Sequence, residues 1–322
     1  MNSGKLVFLD AGTIGDDIAW PDFSTFGEVV LHEYTEKEAV SERIKDADFI
    51  FTNKVAITAE HIAAAPRLRY IGVMATGYNL VELEASAQRG IPVCNVPAYS
   101  SASVVQHVFT LLFALSSDVC ALTASVRAGD WSKSRHFCYW NKPPIELRDK
   151  TMGIVGFGDI GSKVAQIAHC FGMKVLAYAP RPKQAPAYSP FAFVSLEDLF
   201  RQSDVVSLHC PLTPENAGMV NGPLLRSMKK SACLINTARG PLINEPELAA
   251  ALRDGVIAGA GLDVVSCEPM PDDNPLRKAP NCLITPHVAW ATVESRSRLM
   301  EGVFDNVRAF VDGRPSNVKN GL

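Results

Sequence analysis

The sequence predicts an α/β protein built from two Rossmann-like domains, one of which is inserted into the other. Short apolar runs alternate with helical stretches along most of the 322 residues, and this alternation is typical of parallel sheets covered on both faces. A glycine-rich turn at 156–161 starts a second series of such runs in mid-chain. A helix is predicted at 294–312, and because one helix cannot form a domain, we expect it to pack back on the first series.

The first series predicts a flavodoxin-like domain. Its strands are expected at 6–9, 49–52, 69–74 and 92–96, and helices between them at 35–45 and 58–64. After these elements, Ser100 or Ser101 can cap a long apolar helix that runs from about 102 to 126. Polar residues such as Gln106 and Asp118 interrupt this helix, so we do not expect it to span a membrane.

The second series opens with a strand at 152–155 and a helix at 162–168. Between them lie Gly156, Phe157, Gly158, Asp159, Ile160 and Gly161, which match the G-x-G-x-x-G fingerprint of dinucleotide-binding folds. The first glycine makes a tight turn, the second lets the backbone approach a pyrophosphate, and the third lets helix and strand pack closely. The pyrophosphate would lie at the positive N-terminal end of the helix.

The strands of the second series are as many as a complete, doubly wound dinucleotide-binding sheet requires. They are predicted at 153–155, 174–178, 205–208, 233–236, 258–262 and 282–285. We therefore assign 101–286 to a dinucleotide-binding domain, and 1–100 with 287–322 to a substrate domain. Because the chain would cross between the domains twice, a ligand cleft is expected at their junction.

Composition excludes several classes of function. The formal net charge of −3 argues against a nucleic-acid-binding surface. The 8 cysteines are scattered and form no C-x-x-C pair, which predicts reduced thiols rather than a disulfide framework or a metal site. No basic segment followed by an apolar one opens the chain, so we expect a cytoplasmic protein that does not bind a membrane.

Three polar residues follow predicted strands of the second series, where open α/β sheets place their sites. Arg239 follows the strand at 233–236, Glu268 follows the next strand, and His287 follows the last. Taken singly, each residue also suits a structural role, as a surface cation, a turn carboxylate or a packing histidine. As a set after a dinucleotide fingerprint, they favour catalysis.

The three residue types suit hydride exchange between a 2-oxo acid and a 2-hydroxy acid. An arginine supplies the planar cationic fork that a carboxylate and a carbonyl need. A histidine can give the carbonyl oxygen a proton as hydride reaches the carbon, and a neighbouring carboxylate favours the protonated ring and orients it. The nicotinamide carries the hydride itself.

The ordered motifs of the chain resemble those of the D-isomer-specific 2-hydroxyacid dehydrogenases over nearly its whole length. Besides the fingerprint, the motifs are 75–79, 95–99, 208–213, 236–240, 261–264 with Glu268-Pro269, and 285–287. The resemblance implies that Arg239 binds the substrate. It implies that His287 is the acid/base and that Glu268 orients His287. It also implies that backbone amides near Thr76 and Gly77 hold the substrate carboxylate.

The resemblance further implies a nicotinamide cofactor and a homodimer. The cofactor contacts that it implies, besides 156–161, are His209, Cys210 and Pro211 on the adenosine side, Thr237 and Ala238, and Asp263 at the carboxamide end. The dimer would be joined largely through the dinucleotide-binding domains, with the long helix at 102–126 involved.

Two segments look most like glycerate dehydrogenases, also called hydroxypyruvate reductases: 287–292 and the aromatic segment 137–140. They imply reduction of hydroxypyruvate or glyoxylate to D-glycerate or glycolate, although these aromatic residues also suit wall or dimer packing. The alternatives are a broad 2-oxo-acid, D-lactate or phosphoglycerate-type dehydrogenase. A nucleotide-sensing protein like the corepressors that share this scaffold is a further alternative, because such proteins can retain Arg239, Glu268 and His287.

The end of the second strand of the dinucleotide-binding domain predicts NADP rather than NAD. An NAD site normally has an acidic residue there, which bonds the ribose hydroxyls and repels a 2′-phosphate. This chain has Ala179 at that place, with Arg181 and Lys183 close behind. The alternative is that Arg181 points to solvent and that Ala179 tolerates either cofactor.

Overall fold

The computed structural model describes residues 4–140 and 142–322. These residues divide into two compact units. Unit 1 runs to Ser100 and resumes at Trp290, and unit 2 comprises Ser101–Ala289. Each unit is built on its own parallel sheet, so the predicted α/β class is confirmed.

The described strands of unit 1 form one parallel sheet. They are Gly4–Phe8 (β1), Gly27–Leu31 (β2), Phe49–Thr52 (β3), Tyr70–Val73 (β4) and Val93–Cys94 (β5). The helices between them are Val40–Ile44 (α1), Ala59–Ala64 (α2) and Leu83–Gln88 (α3), with 3-10 turns at Ala11–Thr13, Phe23–Phe26 and Lys37–Ala39. The strand order is β2-β1-β3-β4-β5, which is the flavodoxin-like order.

The central strands of this sheet are apolar because helices cover both faces. Every residue of β3 and β4 is buried, whereas the edge strand β2 is only half-buried. The sequence did not predict β2. The other strands lie within two residues of their predicted bounds.

The described strands of unit 2 form the second parallel sheet. They are Thr151–Val155 (β6), Lys174–Tyr178 (β7), Phe191–Phe193 (β8), Val205–Leu208 (β9), Cys233–Asn236 (β10), Gly259–Leu262 (β11) and Cys282–Ile284 (β12). The order is β12-β11-β10-β9-β6-β7-β8. Since β6 pairs with β7 on one side and β9 on the other, the strand order reverses at β6, where doubly wound sheets bind their ligands.

Several of the described helices of unit 2 pack on its sheet. They are Ser101–Ser117 (α4), Val119–Arg127 (α5), Asp130–Lys133 (α6), Asp159–Cys170 (α7), Leu196–Gln202 (α8), Gly222–Ser227 (α9) and Glu245–Arg253 (α10). Further 3-10 turns lie at Pro214–Asn216, Gly240–Leu242 and Pro275–Lys278. Side-chain caps explain several of the starts: Asn244 accepts a hydrogen bond from the amide of Glu247 where α10 begins.

The prediction of one long helix at 102–126 is wrong. The chain breaks at Asp118, whose φ of 51° is left-handed, and α4 and α5 meet there at 57°. α4 is largely buried, whereas α5 buries none of its residues. Among the described residues, no single helix is long and apolar enough to cross a bilayer, and α4 and α5 pass that test of length and composition only as a bent pair.

The last helix, Val293–Val311 (α11), belongs to unit 1 and begins at Thr292, whose hydroxyl accepts from the amide of Ser295. Its apolar face, with Leu299 and Val303, packs on the aromatic core of the unit 1 sheet. The tail after α11 then pairs with the edge of that sheet, where Val318 forms an antiparallel bridge with Cys94.

Candidate active site

The glycine turn of unit 2 is shaped by close packing at two of its three glycines. Gly156 has a φ of 99°, and a side chain there would lie 2.6 Å from the amide nitrogen of Cys210. A side chain at Gly161 would overlap the carbonyl oxygen of Gly156. At Gly158 the space within 4 Å is open. The turn therefore packs tightly on the sheet while its middle glycine leaves room above the backbone, as a bound pyrophosphate requires.

The remaining residues of the turn are engaged with the protein. Phe157 packs against the rings of Phe191 and Phe193, and Ile160 packs on the apolar core of unit 2. Asp159, in the first turn of α7, pairs with Lys163 at 2.7 Å and accepts a hydrogen bond from the Ser101 hydroxyl. The bond from Lys163, helped by Ser101, lowers the pKa of Asp159.

The loop after β9 packs under the glycine turn. The amide of His209 donates to the carbonyl of Val155 at 2.7 Å, and its ring Nε2 lies 2.9 Å from the Ser207 hydroxyl. Burial lowers the pKa of His209 to about 3, so the ring is neutral near pH 7, and burial raises the pKa of the Cys210 thiol. Pro211 uses its carbonyl to accept from the Asn216 side chain.

The loop after β10 is held by the buried side chain of Asn236. Its Oδ1 accepts from the amide of Ala238 at 2.9 Å, and its Nδ2 donates to the carbonyl of Arg239 at 2.8 Å. The Arg239 side chain is exposed. Among the described residues, the buried hydroxyl of Thr237 has no hydrogen-bond partner, which is costly unless a ligand supplies one.

The histidine and glutamate predicted after β12 and β11 form a pair. Nδ1 of His287 lies 2.6 Å from Oε2 of Glu268, and the other carboxylate oxygen accepts from the amide of Val265 at 3.1 Å. The side chains of His287 and Glu268 are 26% and 35% exposed, so the pair is reachable from solvent. His287 has a φ of 53°, an uncommon conformation for a residue with a side chain.

A buried carboxylate holds the backbone that carries His287. Asp263, whose side chain is 1% exposed, accepts from the amides of Val288 and Ala289, both at 2.9 Å, and from the Thr285 hydroxyl at 2.6 Å. Nε2 of His107 lies 2.9 Å from that hydroxyl and 3.4 Å from the carboxylate. Thr285 belongs to the predicted motif 285–287, whereas His107 was not predicted to join the site, because α4 is remote from 263–289 along the chain.

The predicted residues of unit 2 thus follow strands of one parallel sheet. The glycine turn follows β6, Arg181 follows β7 and is exposed, and the other predicted residues follow β9 to β12. Carboxyl ends of parallel strands share one edge, so this arrangement gathers fingerprint, arginine and histidine at that edge. Thr76 and Gly77 belong to unit 1, where they follow β4; Thr76 is exposed and Gly77 half-buried.

Residues 109–289 match the family described as D-isomer specific 2-hydroxyacid dehydrogenase, NAD binding domain. A hydroxypyruvate reductase of Blautia hydrogenotrophica is 43% identical over 320 residues, which cover 98% of this chain and 99% of that protein. The chain belongs to the D-isomer-specific 2-hydroxyacid dehydrogenase family. The resemblance carried by the sequence motifs is therefore confirmed. A second member of the family, a glycerate dehydrogenase of Methylorubrum extorquens, is 41% identical, with 98% of each chain covered.

Solved structures share the fold of this chain. An acyclic imino acid reductase in complex with NADPH and D-Arg matches with a TM-score of 0.83 at 30% identity, covering 98% of this chain and 99% of that chain. A D-lactate dehydrogenase of Aquifex aeolicus, complexed with NAD and lactic acid, matches with a TM-score of 0.83 at 28% identity and the same coverage. This chain therefore contains an NAD-binding domain, which is a type of domain that binds a nicotinamide cofactor.

Proposed function

We propose that this protein reduces a small 2-oxo acid with NAD(P)H, with hydroxypyruvate or glyoxylate as substrate and D-glycerate or glycolate as product. This proposal depends mainly on one observation. Nδ1 of His287 lies 2.6 Å from Oε2 of Glu268, at the edge of the sheet where the fingerprint also lies. The relatives named hydroxypyruvate reductase and glycerate dehydrogenase support the choice of substrate.

His287 is the proposed acid and base. Its Nδ1 is bonded to Glu268, so Nε2 is the atom that gives a proton to the carbonyl oxygen during reduction and takes it back in the reverse direction. The carboxylate of Glu268 orients the ring and stabilises its protonated form. Two anchors hold this geometry: the amide of Val265 on Glu268 and the carboxylate of Asp263 behind the His287 backbone.

Arg239 is the proposed substrate-binding residue. Its planar guanidinium can bond a carboxylate and the adjacent carbonyl of a 2-oxo acid at the same time. The bonds from Asn236 fix the amide of Ala238 and the carbonyl of Arg239, so the exposed arginine begins from a restrained loop. We propose that backbone amides at Thr76 and Gly77, in the loop after β4, bind the substrate carboxylate.

The residues of unit 2 fit a dinucleotide on two observations, the open space at Gly158 and the unpartnered hydroxyl of Thr237. We propose that the pyrophosphate binds at the glycine turn, that 209–211 line the adenosine side, and that Thr237 and Ala238 contact the cofactor. Asp263 would bind the carboxamide end through Oδ2, which accepts one protein hydrogen bond and can accept another. When bound, the nicotinamide supplies the hydride.

NADPH is the proposed cofactor in preference to NADH. β7 is followed by Ala179, which cannot bond a ribose hydroxyl or repel a phosphate. Arg181 and Lys183 are exposed beyond it and can approach a 2′-phosphate. The test compares kcat/KM for NADPH and NADH in the wild type, in Ala179→Asp and in Arg181→Ala, with Arg253→Ala on α10 as a matched surface control. A wild type that favours NADH, with NADPH use unchanged in Arg181→Ala, would contradict the preference.

The substrate is tested by loss of reduced-nicotinamide absorbance with hydroxypyruvate, glyoxylate, pyruvate and 3-phosphohydroxypyruvate. Highest kcat/KM for hydroxypyruvate or glyoxylate supports the proposal. A preference for pyruvate or the phosphorylated acid would instead indicate a D-lactate or phosphoglycerate-type dehydrogenase. Cofactor binding without turnover of any acid would favour a nucleotide-sensing protein on the same scaffold.

We also propose that the protein is a cytoplasmic homodimer joined through unit 2. α5 buries none of its residues, and Val119 and Val126 on it are exposed, as are Trp140 and Phe137, which is 89% exposed. Exposed apolar patches of this kind commonly mark protein interfaces. All 8 cysteines carry free thiols, which suits a reducing compartment. Light scattering should give twice the chain mass for the wild type and a lower mass for Val126→Asp.

A further inference from the structure

A buried asparagine fixes the loop that we propose as the carboxylate-binding site. Asn95, which is 2% exposed and follows β5, donates from Nδ2 to the carbonyl of Thr76 at 2.6 Å. The amide of Val96 donates to the carbonyl of Ala75 at 3.1 Å, and the Thr76 hydroxyl donates back to the carbonyl of Val96 at 3.0 Å. Three hydrogen bonds therefore hold Ala75 and Thr76 against the end of β5.

The bond from Asn95 determines where the next amide points. In a trans peptide, the carbonyl of one residue and the N–H of the following residue point in opposite directions. Since the Thr76 carbonyl is directed at Asn95, the N–H of Gly77 is directed away from it. Across residues 4–140 and 142–322, no protein acceptor takes the Gly77 amide.

Asn95 is itself held by residues from the far end of the chain. Asn306, buried in α11, donates from Nδ2 to the Asn95 carbonyl at 2.9 Å. Its Oδ1 accepts from the hydroxyl of Ser316 at 3.0 Å and from the side chain of Asn317 at 2.9 Å. Asn317 has a φ of 56°, which asparagine tolerates better than most residues, and its carbonyl accepts from the Asn95 amide at 3.4 Å.

The hydrogen bonds of this network restrain Asn95 through its side-chain Nδ2, its backbone amide and its carbonyl, and among the described residues its buried Oδ1 has no partner. We propose that Asn95 is a positioning residue that turns the Gly77 amide toward the substrate carboxylate, and that the C-terminal tail holds Asn95 through Asn306 and Asn317. This inference rests on the proposed function, because it takes the 76–77 amides as the carboxylate site. Asn317 thereby helps to position the 75–77 loop of unit 1, although it contacts no substrate.

Steady-state kinetics and hydrogen–deuterium exchange of the full-length protein test this proposal. Asn95→Ala should raise KM for hydroxypyruvate about tenfold and change kcat less than about threefold, because one bond to a charged group is weakened. The NADPH Kd should not change, because the cofactor residues lie in unit 2. Amides of 75–79 should exchange faster than in the wild type.

The tail is tested separately with two asparagine variants. Asn317→Gly keeps the left-handed backbone accessible and removes the side-chain bond to Asn306, so KM should rise about threefold. Asn320→Ala is the matched control, since its side chain anchors the tail to Ser86, Ile91 and Val93 without reaching Asn306. Its KM should stay at the wild-type value.

Three outcomes would overturn the inference. The first is an unchanged KM in Asn95→Ala with NADPH binding intact. The second is an equal rise in KM for Asn317→Gly and Asn320→Ala, which would indicate general anchoring of the tail. The third is unchanged exchange at 75–79 in Asn95→Ala. A wild type that turns over no 2-oxo acid would contradict the proposed function instead, and the exchange rates would still decide whether Asn95 fixes the loop. If Asn95→Ala does not fold, Asn317→Gly against its control decides alone.

Discussion

Two loops of this protein, one in each unit, are held by a buried side chain, and the two loops present different chemical groups. In unit 2 the carboxylate of Asp263 accepts from the amides of Val288 and Ala289. In unit 1 the side-chain Nδ2 of Asn95 donates to the carbonyl of Thr76. A carboxylate accepts hydrogen bonds from backbone N–H groups. A side-chain N–H donor instead binds a backbone carbonyl, so the N–H of the next residue points away from it.

The difference bears on the roles that we propose for the two loops. The loop that Asp263 holds presents a side chain, His287, which can move a proton. The loop that Asn95 holds presents backbone N–H groups, which can bind an anion and cannot titrate. We therefore expect side-chain substitutions to be severe in unit 2 and mild in the unit 1 loop, unless they break the anchor.

The largest effect is expected at the proton-transferring residue of unit 2. His287→Gln should lower kcat by about 10²–10⁴-fold, because glutamine cannot give the carbonyl oxygen a proton. The NADPH Kd, measured by fluorescence titration, should stay within about twofold of the wild type, since the ring is assigned to chemistry rather than to cofactor binding. A kcat within tenfold of the wild type would contradict the role of His287.

The next largest effect is expected at the substrate-binding cation. Arg239→Lys keeps the charge and loses the planar fork, so kcat/KM for hydroxypyruvate should fall about 10- to 100-fold. Steady-state kinetics with Arg253→Lys, an exposed arginine on α10, provide the control for a surface exchange of the same type. Equal kcat/KM in both variants would remove Arg239 from the site.

The sequence predicted central strands better than some of the edge strands of the two sheets. The bounds of β7, β9 and β10 are as predicted, because buried parallel strands are continuous apolar runs. β2 and β8 were missed because both are edge strands whose exposed faces interrupt such a run. The break at Asp118 was missed because the apolar pattern continues on both sides of it.

The side chains that we propose for the reaction could be chosen from the sequence, whereas the residues that hold their loops could not. Arg239, Glu268 and His287 each follow a strand, and the topology of a parallel sheet alone gathers such residues at one edge. Asn95 and Asn306 are 211 residues apart, and no local pattern links them. Asp263 was predicted only as a cofactor contact, because its bonds to 288–289 exist only once β11 and β12 pair.

A third prediction tests the anchor of unit 2. Asp263→Asn replaces one acceptor oxygen with an N–H donor, so one of the amides of Val288 and Ala289 loses its partner. The free energy of unfolding in urea should fall by about 1–3 kcal/mol, and kcat should fall about tenfold as the His287 backbone loosens. Normal kcat with reduced stability would show that Asp263 supports the fold without positioning His287.

The smallest effect is expected at Thr76, where a substitution tests whether the loop of unit 1 acts through its backbone or through a side chain. Thr76→Val removes the hydroxyl bond to the Val96 carbonyl and keeps the backbone amides, together with the bond from Asn95 to the Thr76 carbonyl. Since unit 1 is proposed to act through its backbone, KM for hydroxypyruvate should rise by no more than about threefold and kcat should be unchanged. A loss of kcat/KM comparable to that of Arg239→Lys would mean that the hydroxyl itself binds substrate. In that case the loop of unit 1 would present a side chain, as the loop of unit 2 does, and the proposed division between the two units would be wrong.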